Sequence, residues 1–195
     1  MTHKPSFWRM LRDDIAATWK HRGILGIVPW VLILCGLLGW LFASNISSDF
    51  FFPRRWDVSV TLYAGLLAFN ALTMALAWSG ITKVYDSITE PGFANFLQHT
   101  GILAHYHFTL GFIHAVQVFA AAVTLLSVGV LMVAWIPIQI DRIALGITVG
   151  ATLYALRWAY ASAGVARDLA WHYATFDGLS NEERQRIRLA VDNSG

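Results

Sequence analysis

The sequence predicts an all-α membrane protein: a four-transmembrane-helix bundle with both termini in the cytoplasm and a cytoplasmic amphipathic helix at each end. Three observations predict it. Of 195 residues, 56% are hydrophobic and 13% charged, whereas soluble domains carry about a quarter charged residues. Four apolar runs, about 24–43, 58–80, 109–136 and 143–165, each approach or exceed the roughly 20 residues of a bilayer crossing. Neither outer loop is long enough to form an independent domain, so almost all the soluble mass faces the cytoplasm. The domain reading is therefore a segment 1–23, a transmembrane domain 24–165 with a loop 81–108, and a tail 166–195.

The chain begins with an amphipathic stretch. Phe7, Leu11, Ile15 and Trp19 recur at helical spacing, with Arg9, Arg12, Asp13 and Lys20 elsewhere. Such a stretch before an apolar run predicts a helix lying in the headgroup layer. The first run then starts near Ile24 and is too long for the core of a cleavable leader, so no leader is expected. Each apolar run must satisfy its own backbone in hydrocarbon, so each is read as a helix. Trp30, Trp40, Trp56, Trp78, Trp135 and Trp158 lie at or near run ends, as interfacial anchors do.

Orientation follows from the basic residues. The N-terminal segment, the 81–108 loop and the tail share one side and hold ten Lys and Arg residues, among them Lys4, Lys20, Arg22 and Lys83. The other side holds three, Arg54, Arg55 and Arg142. The excess places both termini in the cytoplasm of an inner (plasma) membrane.

The connections add detail. "PIQIDR", six residues at 137–142, makes the third and fourth runs adjacent and antiparallel. In the 81–108 loop, Pro91-Gly92 is a breaker. Phe93, Phe96 and Leu97 after it predict a short surface helix or an extension of the third run. In the tail, Asp177-Gly178 is a second breaker, and Ser180 with Glu183 forms a capping box that opens a last helix, "NEERQRIRLAV". Its charge suits a solvated helix, and a partner-docking helix is the alternative.

Polar groups inside the membrane are candidates for function. Span two carries Asn70. Span three carries His114 and Gln117 on one stripe with Thr124. Span four carries Arg157, which lies at a depth similar to His114 when counted at about 1.5 Å per residue. The expected site is an intramembrane polar cluster of Asn70, His114, Gln117 and Arg157. Three readings stand beside one another: interhelical hydrogen bonds, a transport or proton route, and a lipid or small-ligand site. Gly146-x-x-x-Gly150 on span four predicts close helix packing, within the chain or between copies.

Other chemistries are not expected. The single cysteine, Cys35, leaves no disulfide framework or cysteine metal site. The runs about 24–43, 58–80 and 143–165 contain no histidine, so His114 has no facing axial partner for haem. His99, His105 and His107 share no helical face and are read as headgroup-boundary residues. No metal, cofactor or catalytic set is expected, and a net charge of +2 gives no reason to expect nucleic acid. The expected function is a non-enzymatic inner-membrane subunit that assembles with itself or with other membrane or cytoplasmic proteins. The system would be a secretion or conjugation apparatus, or a defence or immunity module. The alternative is a small oligomeric channel or carrier that uses the stripe on span three.

Overall fold

The computed structural model describes residues 12, 30–51, 56–133 and 137–192. These form six α-helices and no strand: α1 (Trp30–Asn45), α2 (Trp56–Ile88), α3 (Pro91–His99), α4 (Leu103–Leu131), α5 (Ile138–Asp177) and α6 (Asn181–Asp192). One 3-10 turn, Ser48–Phe50, follows α1. Helices α2, α4 and α5 are long and apolar enough to cross a membrane; the 16 described residues of α1 form a shorter apolar helix. The expected N-terminal amphipathic helix (Arg12 apart), the start of the first run, Arg54, Arg55 and residues 134–136 lie outside the described residues.

Two long helices exceed the runs that predicted them. Helix α2 continues eight residues past position 80, to Ile88. Ala77, Ile81, Val84 and Ile88 are all buried, so the apolar stripe keeps its helical spacing beyond the apolar run. Helix α5 continues past 165 to Asp177, because Ser162, Leu169 and Phe176, seven residues apart, keep one face buried.

Both breakers act. Pro91 occupies the first turn of α3, where a missing N–H costs little. Helix α3 ends in a Schellman arrangement: Ile102 N donates to Leu97 O at 3.0 Å and Gly101 N to Gln98 O at 3.0 Å. Gly101 has φ of +74°, a conformation a side chain would strain. At the other breaker, Arg184 donates from Nε to Leu179 O at 3.2 Å and from Nη2 to Asp177 O at 2.5 Å, serving carbonyls where α5 stops. The capping box then starts α6. Ser180 N donates to Glu183 Oε2 at 2.9 Å, and Glu183 N donates back to Ser180 Oγ at 3.3 Å.

The chain divides into two compact units. Among the described residues, unit A comprises Ala77–Ile113 and the chain from Tyr160 onward; unit B comprises the described parts of Val28–Leu76 and His114–Ala159.

Unit B is built on small residues and one apolar core. The buried residues of α1 are Cys35, Gly39 and Ala43, four apart, while its Leu, Ile and Trp side chains face outward. Gly146 and Gly150 of α5 pack against that stripe: a Cβ on Gly150 would stand 3.0 Å from Cys35 O. The predicted packing pair is thus used inside the chain. Phe51, Tyr63, Leu131 and Leu145 form the adjoining core with Ala43. Ser59 donates to the Phe50 carbonyl, and Arg142 Nη2 donates to Ile46 O at 3.2 Å.

Unit A has an aromatic core. Phe93 and Leu97 of α3 are buried, and the Phe93 ring lies 5.7 Å from Phe176 and 5.1 Å from Tyr173. Helix α6 packs one side against α3, and most of its charged residues stay exposed, as the sequence expects of a solvated helix.

Candidate functional site: a buried polar network and two open pockets

The polar network belongs to unit B. Asn70 and Gln117, each 2% exposed, are drawn together by the buried threonines 73, 124 and 152. Asn70 Nδ2 donates to Thr124 Oγ1 at 3.0 Å and to Thr152 Oγ1 at 3.1 Å. Thr124 spends its own proton on Ala120 O at 2.8 Å, which leaves its lone pairs to accept. Thr73 Oγ1 lies 3.0 Å from Asn70 O and 3.4 Å from Gln117 Oε1, and Gln117 Nε2 donates to Ala155 O at 2.7 Å. Helices α2, α4 and α5 are therefore joined by side-chain bonds inside an apolar bundle. Further along α4 and α5, the hydroxyls of Ser127 and Thr148 lie 2.7 Å apart. Asn70 Oδ1 is buried and makes no hydrogen bond among the described residues.

Two residues of the expected cluster stand differently. His114 is half-buried, one turn before Gln117 on α4. Arg157 does not join the cluster. It is exposed, and its guanidinium carbon stands 5.2 Å from the ring centroid of Trp158. Counting depth along the helix does not give the face on which Arg157 stands. The inward residues of α5 include Thr152 and Ala155, and a position two residues on is turned by about 200°. Thr124 stands on the stripe that the sequence spacing gives it with Gln117, and the same spacing puts 70 with 73 and 148 with 152 on shared helical faces.

Two of the open pockets of unit A gather charged and titratable groups. A cavity of about 660 Å³ between α3 and α6 is lined by residues including Glu90, Asn95, Phe176, Arg184, Gln185 and Arg188. Arg184 is fixed there, with its guanidinium 4.8 Å from the Phe176 ring centroid and 3.3 Å from Asp177 Oδ1. The backbone N–H and hydroxyl of Ser180 hold the Glu183 carboxyl below the usual carboxylate range. A second cavity, of about 300 Å³, is lined by residues including His105, Tyr106, Asp168, Trp171 and His172.

The sequence reading missed His172 and Asp168 because it treated the stretch after Ala166 as tail; the unbroken α5 brings them opposite His105. His107 instead lies with its ring centroid 6.0 Å from Tyr85. Among the described residues, no three of His, Cys, Asp or Glu converge as a metal site.

No protein-family model, curated protein or solved structure matches this chain.

Proposed function

We propose that this chain is a non-enzymatic integral inner-membrane subunit, with both termini in the cytoplasm, that assembles with itself or with other proteins in a multiprotein membrane system. A secretion or conjugation apparatus, or a defence or immunity module, is the kind of system it suits. The carrying observation is the α3–α6 groove. Helix α6 is seated on α3 over an aromatic core, and the groove between them presents Arg188, Gln185 and Asn95 around an anchored Arg184. A polar groove over a firm apolar floor suits partner contact.

Two further observations bear on this reading, the first against a transport route and the second on which face could assemble. Asn70 and Gln117 donate to partners within the bundle, which is how polar residues bind helices together in lipid. Gly146 and Gly150 are occupied by α1, so a homo-oligomer would use another face. The channel or carrier reading is favoured by one observation, the buried Asn70 Oδ1 with no hydrogen bond among the described residues.

Affinity purification from detergent tests the proposal. Stable co-purifying subunits, weakened by Arg188→Glu, support it. Ion flux in liposomes from this chain alone, lost in Gln117→Ala, would replace it with the channel reading.

A further inference from the structure

The 300 Å³ pocket of unit A combines groups that neither the polar network nor the α3–α6 groove uses. Its level is set by sequence. Thr109 opens the third apolar run and Val165 closes the fourth, and both line the pocket. On the membrane reading, on which this inference rests, the pocket therefore opens at the headgroup layer.

Its chemistry is specific. Asp168 and His172 are four residues apart on α5 and share a face. The His172 ring makes edge contacts with Trp171, centroids 5.1 Å apart, and with Tyr106, centroids 6.2 Å apart. Tyr106 is buried, whereas Trp171 is 66% exposed. His105 lines the pocket from α4. The set is one carboxylate, two imidazoles and two electron-rich rings. It fits a cation better than an anion. Asp168 offers a carboxylate acceptor to a primary ammonium, and a neutral imidazole of His172, one turn on, or of His105 across the pocket can add one acceptor nitrogen. The rings add attraction for the same charge. Beside this set, Arg167 Nε stands 4.0 Å from Asp168 Oδ1, and that guanidinium suits a phosphate.

We propose that this pocket binds the ethanolamine headgroup of a phospholipid, with the primary ammonium on Asp168 among the imidazoles that line the pocket and the phosphate toward Arg167. A choline headgroup has no N–H to give these acceptors. A phosphoglycerol headgroup has no cation and meets the Asp168 carboxylate with like charge.

The test is native mass spectrometry of the full chain in detergent, offered phosphatidylethanolamine, phosphatidylcholine and phosphatidylglycerol in equal amounts. Retention of phosphatidylethanolamine several-fold above the other two is expected. The preference should disappear in Asp168→Asn and weaken in His172→Phe. It should persist in Glu182→Gln, which removes an exposed carboxylate elsewhere. Equal retention of the three lipids, or a preference that survives Asp168→Asn, overturns the proposal. Soluble glycerophosphoethanolamine that displaces the lipid at equal concentration would reassign the pocket to a free amine and overturn the lipid source. Alkaline carbonate washing of membranes separates the two levels. Release of the protein sinks the membrane reading itself. Retention without headgroup preference sinks only this inference.

Discussion

Gly39 and Gly146 meet backbone to backbone: a Cβ added at Gly39 would overlap the carbonyl oxygen of Gly146 and stand 2.7 Å from Gly150 N. Neither atom can withdraw, because both belong to helix backbones. Gly39→Ala is expected to force α1 away from α5 and to destabilise by about 1–3 kcal/mol, the usual range for overpacking. Gly36→Ala is the control, since a Cβ there meets nothing within 4 Å. Thermal unfolding in detergent checks the pair: a clear drop for the first and little change for the second.

The polar network predicts unequal effects from two residues of the expected cluster. Gln117→Leu removes the donor to Ala155 O and the acceptor for Thr73, at a cost of about 1 kcal/mol, typical of a bond between helices in lipid. Arg157→Gln changes an exposed side chain beside Trp158 and should unfold close to wild type. Equal losses in the two variants would contradict the separation of Arg157 from the network.

Phe176 holds unit A together at its C-terminal end. It is buried, lies 5.7 Å from both Phe93 and Phe96, and carries Arg184 on its ring. Phe176→Ala is expected to cost about 3–5 kcal/mol in this unit. The expected signature is local: hydrogen exchange should accelerate in α3 and α6, while the amides around Asn70 keep their protection.

The start of α6 should respond to acid. Glu183 titrates lower in the folded helix than in the unfolded chain, because Ser180 donates to its carboxylate. Between the two values the unfolded state binds more protons, so stability rises with pH there. The contribution is complete above the unfolded value and is lost as pH falls through the folded one, below the ordinary carboxylate range. The protection factors of amides 181–184, taken against the intrinsic exchange rate at each pH, should therefore fall in acid. Ser180→Ala should lower them at neutral pH and flatten their acid response.

The candidate site was legible in part. Asn70 and Gln117 stand out in the sequence because an amide within an apolar run needs a partner, and they found partners in one network. Arg157 was misassigned because depth along a helix is a matter of counting, whereas its face depends on which neighbour the helix meets. His105 was read as a boundary residue of little chemistry. Asp168 and His172 gave no signal, since their meaning depends on α5 staying intact past the end of its apolar run.

The sequence alone determined that this chain is helical with long apolar helices, where α3 begins, where α5 stops and how α6 starts. These are local matters: composition, the backbone's need for hydrogen bonds, a proline, a glycine and a capping box act within a few residues. The tertiary structure decided that Gly146 and Gly150 face Gly39 rather than another copy, that Gln117 reaches Ala155, and that His105 and His172 line one pocket. Those outcomes depend on the rotation of each helix about its axis. That rotation is fixed only when whole faces pack, and it places residues side by side that are far apart in the chain.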